Sequence, residues 1–465
     1  MLPVSPNRDS CISPANGAPP LLRSRRRHRL PAWWNGRDSS RTGAPDPRQA
    51  LAAARNGNSS IRAARFGTDA AAAGIDEARA GFFPRITVAE RWQRGNEPVF
   101  VFGSQLAARQ FTAGSFALDA LNHPDPTSAF HTTIGLDQVL FDGGRTSAAL
   151  RAATLQRDIA RHDADATAAD VAVRVTAAFS RALVARAAGA AAARGLESAT
   201  DDVATIEGRR DLGLATDADV LALRVHAADF EQRQLEAEGD YASAIAELRY
   251  LMAAAAGSQF DVVEPAMPAG PETADESRLA EAAAVNRPDL LRAGAAAGLA
   301  DAVRSQAQSA LVPQVAVQSL VDFAGTRFSD RASSWIVGAE VRWTFSGGAE
   351  QARRAAATAA AAQAVAARDD ANARARAEIA SAAERLRAAH ARQRVGQATV
   401  TQARESERIV RDRFDAGLAT TGDVLRASTA AYDAEQRRVA ALADVIIRRA
   451  ELGRSVGAFT EGAQR

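Results

Sequence analysis

The chain repeats its own motifs at a fixed separation, and this internal duplication restricts its fold more than any other feature. Residues 141–144, Phe-Asp-Gly-Gly, return as Phe-Ser-Gly-Gly at residues 345–348, an offset of 204. The run Gly-Leu-Ala-Thr-Asp-Ala-Asp-Val-Leu at residues 213–221 returns at residues 417–425 as Gly-Leu-Ala-Thr-Thr-Gly-Asp-Val-Leu, again with an offset of 204. Two motifs that return in the same order indicate two copies of one structural unit.

Each copy is expected to contain a very long helix, a glycine turn and a returning helix. The sequence between Gly144 and Gly213 is rich in Ala with scattered Arg, Asp and Glu, and it contains no proline. Roughly 65 helical residues would span about 100 Å, which no ordinary globular domain requires. Because small Ala side chains let helices approach closely, such helices are expected to be held by packing on one another.

The turns themselves predict how the helices end and begin again. Gly213 and Gly417 suit the left-handed position that closes a helix. Thr216 or Asp217 in the first copy, and Thr420 or Thr421 in the second, suit the residue that begins the returning helix.

Two windows break the helical pattern and predict strands. Residues 82–141 and 323–345 hold 14 of the 25 aromatic residues, and they contain the segments with strict apolar and polar alternation. From residue 334 to residue 345 one face is wholly apolar, whereas the other carries charges such as Glu340 and Arg342. That apolar face consists of Trp335, Val337, Ala339, Val341, Trp343 and Phe345. In the first strand Glu90 is an exception on the apolar face.

The strands form two predicted hairpins of different length. Residues 83–88 match residues 312–317 at an offset of 229, so the first hairpin loop is expected to be 25 residues longer than the second. The resulting organisation is a leader at 1–45, a first repeat at 46–256, a linker at 257–275, a second repeat at 276–458 and a tail at 459–465. The first repeat is predicted to hold a helix, strands 84–93 and 130–141, a long helix 144–212 and a return helix 217–256. The second is predicted to hold a helix, strands 313–323 and 334–345, a long helix 348–416 and a return helix 420–457.

Composition argues against enzymes and nucleic-acid binders. All 57 basic residues are Arg, so sites that need a lysine ammonium, such as phosphate loops and Schiff bases, are excluded. The single Cys excludes disulfide frameworks. Six His show no metal-binding spacing, and we interpret each as a surface residue: His28, His123, His131, His162, His226 and His390. No catalytic residues, metal or cofactor are therefore predicted, and the basic excess lies in the leader, not in a folded face.

The apolar strand faces allow two interpretations. They can pack on helices as an ordinary β-layer, or they can face lipid. Aromatic residues near the ends of the apolar bands favour lipid, because barrels in membranes carry aromatic girdles; these residues are Trp92, Phe141, Trp335, Trp343 and Phe345. Since four strands cannot close a membrane barrel, closure would have to be intermolecular.

The repeated turns also allow two interpretations. As structure they cap helices, and as function their exposed small and apolar residues would offer a docking surface at 213–216 and 417–420. That surface would consist of Gly213, Leu214, Ala215, Thr216, Gly417, Leu418, Ala419 and Thr420. Asp219 and Asp423 would stabilise the helix dipole or, in a symmetric oligomer, ring a pore. Gly143, Gly144, Gly347 and Gly348 are interpreted as hinges between strand and helix.

Taken together, these motifs resemble the TolC-type outer-membrane channels, also called outer membrane efflux proteins. The resemblance covers about residues 48–458 and rests on both hinge motifs, both turns, Phe83-Pro84, Val312-Pro313 and Asn286-Arg287-Pro288-Asp289-Leu290. It implies a mainly α fold with membrane strands. Long helical hairpins would form a periplasmic tunnel, and four strands per chain would contribute to a 12-stranded trimeric β-barrel.

The resemblance also implies a function and partners. Such a chain would be the passive outer-membrane duct of a tripartite efflux or type I secretion system, exporting small molecules, metal ions or polypeptides. Its partners would be two further copies, outer-membrane lipid, a periplasmic adaptor (membrane fusion) protein and an inner-membrane RND or ABC pump. In that family the barrel end is open and the helical tip is closed. The tip turns would meet the adaptor, and Asp219, Asp423 and Arg426 would line the pore entrance.

Two other classes of protein are alternatives to the duct. A coiled-coil scaffold outside the membrane, with the strands as a small capping sheet, is the main alternative. A periplasmic adaptor would need barrel segments flanking one hairpin, whereas this chain has two hairpins that flank strands. The Arg-rich leader, residues 1–45, contains no recognisable secretory signal and is interpreted as disordered. Our hypothesis for this leader is a misplaced start codon or an upstream frameshift.

Overall fold

The computed structural model describes residues 47–255, 258, 261–265 and 276–459. The predicted leader, nearly all of the predicted tail and much of the predicted linker lie outside the described residues. The elements, in chain order, are α1 (Pro47–Gly57), α2 (Ser59–Ala80), β1 (Arg85–Gly95), α3 (Pro98–Ala107), a 3₁₀ turn (Ala113–Phe116), α4 (Leu118–Asn122), β2 (Thr127–Phe141), α5 (Arg145–Asp211), α6 (Asp217–Met252), α7 (Glu276–Asn286), α8 (Pro288–Ser309), β3 (Gln314–Arg327), β4 (Asp330–Arg342), α9 (Ala349–Asp415) and α10 (Thr421–Ser455).

Two helices of 67 residues, α5 and α9, form the body of the molecule. At 1.5 Å per residue each is about 100 Å long. Helix α6 runs back along α5, and α10 runs back along α9, so each repeat is a long helical hairpin. The shorter helices α2 and α8 pack on α5 near the sheet, where the two repeats join.

The core is a series of small clusters along the helices, with no single centre. One cluster joins α1, α2, α5 and α6 around Phe179, Leu248 and Leu251, all of them fully buried. Another lies near the turns and joins both hairpins through Leu223 and Phe414. Because much of the buried surface between these clusters is Ala, the helix axes can lie close together.

The four strands form one antiparallel sheet in the order β1-β2-β3-β4. Val321 of β3 pairs with Ile134 of β2 and with Trp335 of β4, so apolar residues of three strands share a face. On this face Trp335 is 78% exposed and Val341 is 69% exposed. Within the described residues the apolar face therefore remains open and is not packed on helices as an ordinary β-layer would be.

The strand bounds differ from the prediction for identifiable reasons. Strand β4 occupies Asp330–Arg342 where the alternation predicted 334–345, because a tight turn pairs Arg327 with Asp330 and starts the ladder earlier. The ladder ends where Gln314 pairs with Arg342. Pro313 precedes that pair and has no N–H to donate, so Trp343 and Phe345 follow the strand.

Glycine pairs connect the sheet to the long helices. Gly143 and Gly144 have φ of +64° and +85°, and Gly347 and Gly348 have φ of +56° and +91°. At Gly143 a Cβ would also lie 3.1 Å from Cβ of Val312, so both conformation and space require glycine there. The backbone N–H of Gly144 donates to the carboxylate of Asp142 at 3.0 Å, which fixes the first hinge.

Candidate functional site

The two glycine turns have the same geometry at the ends of their hairpins. Gly213 and Gly417 both have φ of +76°. The N–H of Leu214 donates to the carbonyl of Arg209 at 2.8 Å, and the N–H of Leu418 donates to the carbonyl of Arg413 at 2.7 Å. This six-to-one bond with a left-handed glycine is the Schellman ending of a helix. It leaves Leu214 74% exposed and Leu418 68% exposed, so each turn presents a leucine to solvent.

Each returning helix then begins with a reciprocal capping box. The hydroxyl of Thr420 accepts from the N–H of Asp423 at 3.2 Å and donates to its carboxylate at 2.7 Å. Thr216 and Asp219 repeat these bonds at 3.2 Å and 2.6 Å. Both threonines therefore occupy the cap position, and the aspartates lie in the first turn, where the helix dipole favours negative charge.

The two aspartates differ in what they contact beyond the cap. Asp219 accepts from the hydroxyl of Thr421 at 3.0 Å, and this bond joins the turn ends of the two hairpins. Asp423 pairs with Arg426 at 2.6 Å. Hydrogen bonds from Thr420, followed by the bond from Arg426, lower the pKa of Asp423 to about 2. The second turn therefore carries a carboxylate whose charge is balanced locally.

Acid is expected to weaken the second cap. Because the pKa of Asp423 is lowered from 3.8 to about 2 on folding, its stabilising effect is complete above pH 3.8 and is lost as the pH falls through about 2. Asp423→Ala should therefore accelerate amide hydrogen exchange at the start of α10 at pH 5, and the difference from wild type should shrink as the pH falls through about 2 and vanish below it. Peptides covering the start of α8 serve as the internal control. Equal exchange in both proteins at pH 5 would contradict the cap assignment.

The sequence did not predict the line of polar contacts between α6 and α10, which we call the polar seam. His226 of α6 is hydrogen-bonded to Ser428 of α10 at 2.8 Å, and its ring packs edge-on against Phe230. This contact lies seven residues beyond the bond between Asp219 and Thr421 on both helices. Asp219 and His226 on α6 are seven residues apart, as are Thr421 and Ser428 on α10. This heptad spacing of polar residues is the sequence signal from which the contact could have been predicted.

Three histidines on the helices correct the prediction that each is a surface residue. His162 of α5 is half-buried, and burial lowers its pKa. His390 of α9 is only 6% exposed. His226 is half-buried in the seam, and burial lowers its pKa. Alternation and spacing do not predict such residues, because their burial depends on helices that are distant in the sequence.

The sheet holds the residues that were proposed as a girdle. Trp92 lies near the end of β1 and pairs with Phe130, at the sheet end away from the long helices. Phe141, Trp343 and Phe345 lie at the opposite end, and the rings of Trp343 and Phe345 are 4.8 Å apart. Trp335 lies between these two ends. All five side chains are at least half exposed.

The exceptional Glu90 is satisfied within its own face. Its carboxylate accepts from the hydroxyl of Thr132 and lies 3.3 Å from the guanidinium of Arg331. The guanidinium also lies over the ring of Phe328 at 3.7 Å. Trp92 and Phe130 pair with each other two residues closer to the strand ends. The ion pair of Glu90 and Arg331 therefore lies beside these two aromatic residues. Charge at such a level is far less costly in a bilayer than charge at the midplane.

The described residues contain neither a metal-binding cluster nor a membrane-spanning helix. No group of three or more His, Cys, Asp and Glu residues there could hold a metal ion. Over the same residues, no helix is both long enough and apolar enough to cross a bilayer.

Comparisons with known proteins place the fold. The family model for the outer membrane efflux protein matches residues 50–254 and 279–458. A membrane protein from Pseudomonas aeruginosa has a TM-score of 0.75 at 21% identity, over 90% of this chain and 91% of that chain. The Campylobacter jejuni CmeC outer membrane channel has a TM-score of 0.74 at 14% identity, over 90% and 87%. The outer membrane protein VceC from Vibrio cholerae has a TM-score of 0.73 at 19% identity, over 91% and 98%. No curated protein sequence matches the chain.

Proposed function

The chain belongs to the outer membrane efflux protein family, as its match to the family model over both repeats establishes, and we propose that its working form is a homotrimeric export duct. An outer-membrane channel of this family makes and breaks no covalent bond. In the proposed duct, each copy supplies a third of a 12-stranded barrel and a third of a helical tunnel in the periplasm. An inner-membrane pump of the RND or ABC class supplies the energy, in efflux or in type I secretion.

The observation that carries this proposal is the sheet with an exposed apolar face and two free edges. Strands β1 and β4 are the first and last in the sheet order. Exposed edges carry unpaired N–H and C=O groups, which must be satisfied by pairing when the sheet enters lipid. Pairing β4 of one copy with β1 of the next closes three sheets into a ring and removes every edge. A scaffold outside the membrane is not favoured, since it would leave Trp335 and Val341 in water.

The turns are proposed as the surface that meets the adaptor. Leu214 and Leu418 project at equivalent positions of two identical turns, so three copies would present six such leucines at the end of the tunnel. A partner with helical hairpins fits a ring of repeated apolar turns. Small molecules, metal ions and polypeptides are all compatible cargoes, and the pump decides among them.

Asp219, Asp423 and Arg426 are proposed to line the entrance at the same end. Asp423 and Arg426 balance each other within one copy, and the Arg426 side chain is 76% exposed. Removing Asp423 takes three negative charges from the entrance and removing Arg426 takes three positive ones, in each case beside the three carboxylates of Asp219. Ion selectivity at the entrance therefore depends on this pair together with Asp219.

Planar-bilayer recording tests this assignment. Asp423→Ala should shift the permeability ratio toward anions and Arg426→Ala should shift it toward cations, each by at least about twofold, which corresponds to ~0.4 kcal/mol. Asp76→Ala is the matched control, because Asp76 pairs with Arg79 on α2, far from the turns. Selectivity that is unchanged in both tip variants would reject the entrance assignment. A protein that forms no detergent-stable trimer would reject the duct.

A further inference from the structure

The long connection between β1 and β2 lies over the polar face of the sheet. Ala129 and Ala324 belong to that face and are 1% and 2% exposed, so something covers them. The ring of Phe100 in α3 lies beside Gly95, where a Cβ would be 3.7 Å from it. The hydroxyl of Thr326 donates to the side-chain oxygen of Gln110, just beyond α3, at 2.8 Å. Because Gly95, Ala129 and Ala324 share the polar face by strand alternation, these contacts place α3 on that face.

Helix α3 crosses the sheet from one side to the other. It begins three residues after β1 ends at Gly95. At its far end the guanidinium of Arg109 donates to the carbonyl of Ser333 in β4 at 2.9 Å. The amide of Gln110 donates to Asp330 at 3.4 Å, where β4 begins. The 10 residues of α3 span about 15 Å, so the helix forms a crossbar near the strand ends.

The crossbar has one buried stripe and one free apolar stripe. Val101 and Ser104 face inward and are 4% and 7% exposed. On the opposite side Val99 is 78% exposed and Leu106 is 57% exposed, with Gly103 between them. These three positions follow the i, i+4, i+7 spacing of one helix face. Edge-to-face contacts of Phe111 with Phe102 and Phe116, at 4.7 Å and 4.9 Å, tie the connection together.

Closure of the barrel determines where the free stripe points. This step rests on the trimeric duct proposed above, in which the polar faces of the three sheets turn toward the axis. A closed sheet of 12 strands spaced about 4.8 Å apart and tilted about 40° has a backbone radius of roughly 12 Å. Three α3 helices, each about 15 Å long and placed end to end against that wall, form a triangle. The distance from the centre of this triangle to each helix axis is ~4 Å, which is less than the roughly 5 Å radius of a helix.

We propose that the free stripe of α3, formed by Val99, Gly103 and Leu106, packs on the same stripe of two further copies of this chain, so that three crossbars close the outer mouth of the barrel. The second repeat contributes no counterpart, because only Phe328 and Ser329 separate β3 from β4. The closure of the barrel mouth, which we call the stopper, therefore consists of three α3 helices, one from each chain. It differs from the open barrel end that the family resemblance implies.

Cysteine cross-linking tests the contact directly. In a Cys11→Ser background, which removes the single native cysteine, Leu106→Cys should give covalent dimers with a short bismaleimide in purified, detergent-stable trimers. Phe328→Cys is the matched control, since Phe328 is 67% exposed at the same end but packs beside Arg331 on the lipid side. Intact trimers without a link at residue 106 would overturn the stopper. Absence of trimers would overturn the duct, and the stopper with it.

Access from outside the cell gives an independent measurement. Ser334 lies on the polar face, opposite Asp322, below the crossbar. In the Cys11→Ser background, Ser334→Cys should resist a bulky maleimide–polyethylene glycol added to intact cells. Replacing residues 97–122 by a short turn should make labelling fast while heat-resistant trimers persist. Because the reagent enters from the barrel end, the state of the helical tip does not affect the result, and equal labelling rates would overturn the proposal.

Discussion

Arg287→Met is expected to destabilise the folded chain by about 1–3 kcal/mol, which is the usual consequence of leaving a buried hydrogen-bond acceptor without its donor. The Arg287 side chain is 7% exposed. It donates to both carboxylate oxygens of Asp289, at 2.7 Å and 2.9 Å, and to the carboxylate of Glu378. It also donates to the carbonyl of Ser455 at 3.3 Å. One guanidinium thus joins the start of α8, the middle of α9 and the end of α10.

The surrounding backbone leaves little freedom to compensate. Gly457, which follows α10, has φ of +79°, and a Cβ there would lie 2.4 Å from the carbonyl carbon of Asn286. The end of α10 is therefore pressed against the residues that precede α8. Without Arg287, two carboxylates and a helix-end carbonyl lose their donor at this crowded junction.

Thermal unfolding of the purified protein, followed by helical circular dichroism, measures the effect. Arg368→Met is the matched control, because Arg368 pairs only with its exposed neighbour Asp369 among the described contacts, and such pairs contribute about 0–1 kcal/mol. Adding Glu378→Met and Asp289→Asn to Arg287→Met should restore part of the lost stability, since no carboxylate at the junction then lacks its donor. An Arg287→Met protein as stable as the Arg368→Met control would show that the junction is held by packing alone.

Val337→Arg is expected to prevent insertion of the sheet into the outer membrane. Val337 is 59% exposed in the middle of β4, on the apolar face. An arginine on the lipid face near the bilayer midplane costs about 2–4 kcal/mol, so three copies would cost about 6–12 kcal/mol per trimer. The variant should therefore accumulate as unassembled protein in the periplasm or be degraded.

The amount of heat-resistant trimer in outer-membrane fractions checks this prediction. Ser334→Arg is the control, because Ser334 lies on the same strand but pairs with Asp322 on the polar face, where charge meets water in the proposed barrel. It should insert at close to the wild-type level. Equal insertion of both variants would show that the apolar face does not meet lipid, and the scaffold interpretation would then regain ground.

Because the sequence is internally duplicated, much of this architecture could be predicted from it. Because each motif occurs twice, the glycine turns and the hinges could be located to the residue, and Thr216 and Thr420 proved to be the caps. Bounds of strands were less accurate, since ladders end where pairing ends, and pairing depends on a partner strand. Alternation alone could not reveal that Pro313 would stop the ladder before Trp343.

Contacts between segments that are distant in the sequence could not be predicted from the sequence. Arg287 lay in a quoted motif, yet nothing local indicated that Glu378 and Ser455 would meet it. The loop of the first hairpin was recognised only by its extra length. Its crossbar geometry depends on Ala129 and Ala324, small residues that gave no signal because Ala is abundant throughout the chain.

The order of the strands also decides when the sheet can form. Phe130 pairs with Gly325, and both long stretches of α5 and α6 lie between them in the sequence. Closing so large a loop is slow unless the intervening hairpin has already folded and shortened it. The intervening helices therefore have to form before β2 can pair with β3, whereas β1 with β2 and β3 with β4 can pair locally. Until β2 and β3 pair, each hairpin carries unpaired strand edges, which are prone to aggregation.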